Sequence, residues 1–150
     1  MKTKLFSLLC VTILLVLSYS TARSAMYTWV GGTGSQSWTV ATNWLPIGVP
    51  GAGDDAIFGA GAATTIDFPV GALSLNSIQI TGRNVYFSPG AACALTLTGM
   101  GSFVTGAGAQ LQFTTPSNLT VAAGATLTFS GNGTYFCNGN NTFINGTVNV

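Results

Sequence analysis

The sequence predicts an all-β protein built as a β-solenoid, a stack of short-stranded coils. Three observations carry that prediction. Large apolar residues stand at Phe87, Leu95, Phe103, Leu111, Leu119, Leu127, Tyr135 and Phe143, one every eight positions. From Val85 to Phe143 the odd positions hold most of the bulky side chains. The even positions hold Thr96, Thr98, Gln110, Gln112, Thr120, Thr126, Thr128, Thr134 and Thr142. A period of two gives each strand one buried face and one wet face. Glycines at 90, 99, 108, 124, 131, 139 and 146 punctuate the pattern, so each unit reads as a short strand and a turn.

Equal spacing is what stacking demands, because like residues must align from coil to coil. A block repeats as well: GAQLQF at 108–113 returns as GATLTF at 124–129. A sandwich or barrel would need hairpin turns and strands of about five or six residues or more. Eight residues to a side makes about 24 per coil if the section is triangular and about 16 if it is flattened. The many phenylalanines favour the wider, triangular interior. Val104 and Phe136, apolar at even positions, are the exceptions to the alternation.

The chain opens with Lys2 and Lys4, an apolar run from Leu5 to Leu17, and the small-residue stretch SYSTARSA. That three-part layout predicts a secretory signal peptide over residues 1–24, too short in its apolar part to span a bilayer. Small residues permit cleavage after Ala22 or Ser24, and Arg23 disfavours cleavage after Ala25. Leucines before Cys10 argue against a lipid anchor. The mature chain is therefore expected outside the cell or on its surface, with no stable membrane span.

Beyond the leader, Arg83 is the one cation, against Asp54, Asp55 and Asp67, and the chain has no histidine. So little positive charge excludes a groove for a phosphate backbone, hence nucleic acid as a partner. It is also poor material for acid–base catalysis or histidine-ligated metal, so no cofactor is expected.

Residues 25–58 read as a separate capping module, ahead of solenoid coils from 59 to 150. All three tryptophans lie here, in WVGGTGSQSWTVATNW, followed by the turn-rich NWLPIGVPGAGDD. The module shows a W-x-G-G, W-x-x-x-x-N-W, V-P-G-x-x-D-x-A-x-F layout. It is carried by Trp29, Gly31, Gly32, Trp38, Asn43, Trp44, Val49, Pro50, Gly51, Asp54, Ala56 and Phe58. This layout resembles the opening module of bacterial exported β-helix proteins, at the start of autotransporter passenger domains and of large surface proteins of Bacteroidota-type bacteria. The later stretch LTFSGNGTYFCNGNNTFINGTVNV is similar to their repeat. The resemblance implies a right-handed parallel β-helix whose first coils are closed by the tryptophan segment. It further implies a cell-surface stalk or scaffold, often adhesive. The repeat runs on to TVNV at 147–150, so further coils, or self-association through an open edge, are expected there.

Trp29, Trp38 and Trp44 could stack on sugars, but a solenoid end needs an apolar cover, and the cover is the preferred reading. Asp54 and Asp55 lack the spaced oxygen ligands of a calcium loop, so Asp54 is expected to hold the PGAGD turn. A polysaccharide lyase would need more than Arg83 and Asp67. The T-x-T pairs Thr96/Thr98 and Thr126/Thr128 could form an ice-binding face, although threonine is also a good exposed strand former. Cys93 and Cys137 are not separated by a multiple of eight, and both read as small buried hydrophobes. Four N-x-T sequons, at Asn118, Asn132, Asn140 and Asn145, fit Asn-rich turns. The function expected is a non-enzymatic exported scaffold or adhesin with a host-surface or glycan ligand. Carbohydrate-binding, lyase-like and ice-binding roles are the alternatives.

Overall fold

The computed structural model describes residues 24–32, 34–88, 93–113, 117–131, 133–137, 142–144 and 146–150. The leader, the sequons at Asn132, Asn140 and Asn145, and the side chains of Phe136, Cys137, Thr142 and Phe143 lie outside that description.

Strands follow one another in threes. The first turn of chain holds β1 (Met26–Trp29) and β2 (Gly34–Ser37), then a 3-10 turn (Ala41–Asn43) and the short β3 (Trp44–Leu45). Regular coils follow: β4 (Asp55–Phe58), β5 (Thr64–Asp67) and β6 (Gly71–Leu75), then β7 (Ser77–Thr81), β8 (Asn84–Phe87) and β9 (Cys93–Leu97). Next come β10 (Ser102–Thr105), β11 (Gln110–Phe113) and β12 (Ser117–Val121), then β13 (Thr126–Ser130), β14 (Thr134–Cys137) and β15 (Thr142–Ile144), and finally β16 (Thr147–Asn149). Each third strand returns to the same sheet. The three sheets run β3-β1-β4-β7-β10-β13-β16, β2-β5-β8-β11-β14 and β6-β9-β12-β15. Among the described residues every strand pairing is parallel except β1 with β3.

The register gives the coil length. Gln79 pairs with Phe103, Cys93 with Ser117 and Leu111 with Tyr135, so these coils are stacked about 24 residues apart. The triangular coil is thus the observed one, and the flattened alternative is not. The first step is longer, with Tyr27 opposite Ala56 and Gly34 opposite Thr64, because residues 38–53 are spent on the cap. Asp55–Phe58, assigned to the cap by sequence, already forms a coil strand paired with β7.

Inward side chains stack in columns. One runs Leu73, Leu95, Leu119, and another Leu75, Leu97, Val121. Phe87 lies on Phe113 with ring centroids 5.4 Å apart. Val85, Phe87, Leu95, Leu97, Leu111, Phe113, Leu119, Val121 and Leu127 are all buried, as their odd positions predict. Phe103 is a correction. Within β10 the buried residues are Ser102 and Val104, while Phe103 sits half-exposed between Gln79 and Thr128 in an outer column. The reason is the turn 98–101, after which the inward phase resumes at Ser102, five residues past Leu97, whereas Leu127 follows Val121 by six. Val104 then aligns with Ile80 and Phe129 inside.

One corner is built from glycine. Gly82, Gly106 and Gly131 end β7, β10 and β13 with φ of 59°, 97° and 55°. A Cβ on Gly106 would lie 3.2 Å from the Gly82 nitrogen, and one on Gly131 would lie 3.3 Å from that of Gly106. Glycine alone supplies both the left-handed backbone and the close approach.

Candidate functional site: the tryptophan cap

The cap begins where β1 ends. Asn43, at the end of the 3-10 turn, accepts from the nitrogens of Val30 at 2.9 Å and Gly31 at 3.2 Å through its carbonyl oxygen. Its side-chain Nδ2 donates to Ser37 O at 3.0 Å. One residue therefore ties the ends of β1 and β2 together and delivers Trp44 into the interior. Gly31 has a steric role, since a methyl group there would come within 2.5 Å of the Trp29 ring. Gly48 is similar, with the Tyr27 ring 2.6 Å from where its Cβ would be.

The three indoles interlock. Trp44 meets Trp29 at 5.0 Å and Trp38 at 4.7 Å, both edge to face. Trp38 also packs edge to face on Phe68 at 4.9 Å, and Trp29 lies tilted over Phe58 at 5.8 Å. Such edge-to-face contacts suit the ring quadrupoles. Trp44 Nε1 donates to Trp38 O at 2.9 Å, and Trp38 Nε1 donates to Pro50 O at 3.2 Å. Trp29 Nε1 is buried with no hydrogen-bond partner among the described residues. Trp29, Trp38 and Trp44 are 4%, 0% and 1% exposed as whole residues. A sugar platform needs an open ring face, and none of the three offers one, so ligand contact by Trp29, Trp38 or Trp44 does not fit this geometry.

The threonine pairs are separated rather than gathered. Thr96 is half-buried in the outer column Ser74–Thr96–Thr120 of one sheet. Thr98, just past β9, is exposed and donates through Oγ1 to Leu75 O at 3.0 Å. Thr126 and Thr128 belong to β13 in a different sheet, where Thr126 Oγ1 donates to Met100 O. Thr128 Oγ1 accepts from Asn149 Nδ2 at 3.4 Å. A flat array of threonines on one face, the requirement of an ice-binding surface, is not formed by these four.

Sequence reasoning placed Asp54 in its turn, and the structure agrees: Gly51 N donates to Asp54 Oδ2 at 3.0 Å. It overlooked the role of Asp55. This buried carboxylate accepts from Ser24 Oγ at 2.8 Å, Asn76 Nδ2 at 2.7 Å and Ser77 Oγ. Burial alone would raise its pKa, but the hydrogen bonds from Ser77, Asn76 and Ser24 outweigh that and hold it below the usual aspartate value. The polar pair Asn76–Ser77 stands where the apolar strand β7 begins, but nothing in the sequence ties it to Asp55 a coil earlier.

Other chemistry-bearing residues are dispersed. The Arg83 guanidinium covers Gly61, and burial lowers its pKa. Cys93 is buried and carries a free thiol, whose pKa burial pushes up to about 12, so it is no nucleophile. Among the described residues no three His, Cys, Asp or Glu side chains gather where they could hold a metal ion. No described helix is long and apolar enough to cross a membrane. At the end away from the cap, Phe129, Tyr135, Val148 and Val150 line an open apolar cavity of about 380 Å³, with Gly133 and Thr134 at its edge.

No family model, curated protein or solved structure matches this chain.

Proposed function

We propose that this chain is a non-enzymatic, exported β-solenoid serving as a cell-surface scaffold or adhesin segment. The observation that carries the reading is the cap. It devotes three tryptophans and the whole stretch 38–53 to closing one end of a coil stack, and presents no ring to a ligand. That investment makes sense for a protein whose work is to hold a rigid rod together. The outer columns support it too. Ala72–Ala94–Asn118 and Ser74–Thr96–Thr120 present small neutral groups along a sheet. Asp54 and Asp55 are occupied in holding the turn and the chain start, which favours structure over acid–base chemistry.

Surface placement is tested on intact cells of the source organism. An impermeant biotinylation reagent and added protease should both reach the protein without lysis. Protection from both until lysis would refute export. Incubation with pectin or alginate should release no unsaturated uronides, and their release would make the chain a lyase. Glycan or matrix-protein capture by the outer sheets would select adhesin over plain scaffold.

A further inference from the structure

The beginning of the described chain is held by the same turn that closes the cap. Ala25 N donates to Asp54 Oδ1 at 3.2 Å, and Asp55 N donates to Ala25 O at 2.8 Å. Ser24 Oγ adds its bond to Asp55 Oδ2 at 2.8 Å. Two carboxylates thus converge on the Ser24–Ala25 peptide. Arg83, the only cation among the described residues, lies over Gly61 at the corner after β4, whereas this pair precedes and opens β4. The leader layout permits cleavage after Ala22 or after Ser24. Only the second frees the nitrogen that already points at Asp54.

We infer that the Ser24–Ala25 bond is the processing site and that the new terminus becomes a charged latch on the cap. The inference rests on the exported reading above. A signal peptidase adds one water across the amide. The Ser24 carbonyl carbon takes the oxygen and departs with the leader as a carboxylate. The Ala25 nitrogen keeps its electron pair, gains protons and becomes an ammonium. A neutral N–H donor facing Asp54 is thereby replaced by a cation with three donors. Charge-assisted hydrogen bonds are about twice as strong as neutral ones. Export would therefore complete the cap: the uncleaved chain has only the neutral contact, and the processed chain has an ion pair. Cleavage after Ala22 would leave the charge on Arg23 and an ordinary amide at Ala25.

The sequence makes this unusually easy to read. Lys2 and Lys4 are its only lysines, so a chain beginning at Ala25 carries a single primary amine, its own terminus. The protein exported by its source cells is purified, and its terminus is sequenced and weighed. The expected start is Ala25. Retention of Met1 on the exported protein would refute cleavage of the leader, and with it the latch, whereas a processed chain starting at Arg23 would refute the latch alone, and both leave export intact. The amine is then acetylated and thermal unfolding compared at pH 6.5. Blocking should lower Tm by roughly 3–5 °C, as for one interaction of ordinary strength. In Asp54→Asn, which keeps an oxygen for Gly51 N, blocking should change little. Equal Tm for free and blocked chains, or an equal drop in D54N, overturns the latch. Should D54N fail to fold, the amine titration of the wild-type chain decides. Its pKa should stand above the ordinary ~7.7–8.0, and a value at or below that range overturns the proposal. A raised pKa means the benefit is complete below the ordinary value and lost as pH rises through the folded one.

Discussion

Asp55 shows how one carboxylate can order a coil junction. Its partners come from two places, Ser24 before β1 in the unprocessed chain, and Asn76 and Ser77 one coil later, so it joins successive layers of the stack. Removing it leaves buried donors without acceptors, which costs about 1–3 kcal/mol. Asp55→Ala should therefore lower the unfolding free energy by about 2 kcal/mol in denaturant titrations. The acid limb should change as well. Because hydrogen bonds hold its folded pKa below the unfolded one, Asp55 contributes stability above the ordinary carboxylate value near 3.8, and that stability fades as pH falls through the lowered pKa. The wild-type protein should lose stability on acidification below about pH 4, and Asp55→Ala should lose less over the same interval. Matching pH profiles for the two would show that the carboxylate does no such work. The role was not legible in sequence because Asn76 and Ser77 lie a full coil further along the chain, and coil steps vary. The step that pairs Tyr27 with Ala56 is longer than the one that pairs Asp55 with Ser77. Periodicity locates a sheet face well, but it does not locate a partner atom.

Strands and corners obey a simpler rule. The eight-residue spacing foretold Leu95, Leu111, Leu119 and Leu127 as core, because alternation within a strand survives turns that preserve its phase. It misplaced Phe103 because the turn 98–101 shifts that phase, and Val104, apolar at an even position, was the visible trace of the shift. The glycines were legible as punctuation but not as a stack, since only the fold brings them so close that a Cβ on Gly106 or Gly131 would press on the glycine one coil earlier. That stack can be separated from simple backbone preference. Gly106 and Gly124 both have positive φ, 97° and 79°, but a Cβ at Gly124 would meet nothing within 4 Å. Gly124→Ala bears only the backbone strain, in the range of about 1–3 kcal/mol. Gly106→Ala adds the encroachment on Gly82 and should cost measurably more. Equal losses in chemical denaturation would mean that the corner has room to yield.

For the whole molecule the decisive feature is the closed end. There Trp29, Trp38 and Trp44 lie over Phe58, Phe68 and Phe87. Each indole buries on the order of 150–250 Å², worth about 4–6 kcal/mol at ~25 cal/mol per Å². The three together are comparable with the entire stability of an ordinary domain, about 5–15 kcal/mol. A solenoid adds coils by nearest-neighbour contact, so losing a terminal cap removes that sum at one place and uncovers the next layer. Residues 55–150, expressed without the cap, should therefore bind a hydrophobic dye, self-associate and unfold without a cooperative transition. Trp38→Ala in the capped protein should be milder, losing about 3–5 kcal/mol. If 55–150 proved monomeric and melted cooperatively near the Tm of the capped chain, the tryptophans would be dispensable to the rod. Their burial would then need a purpose other than closure.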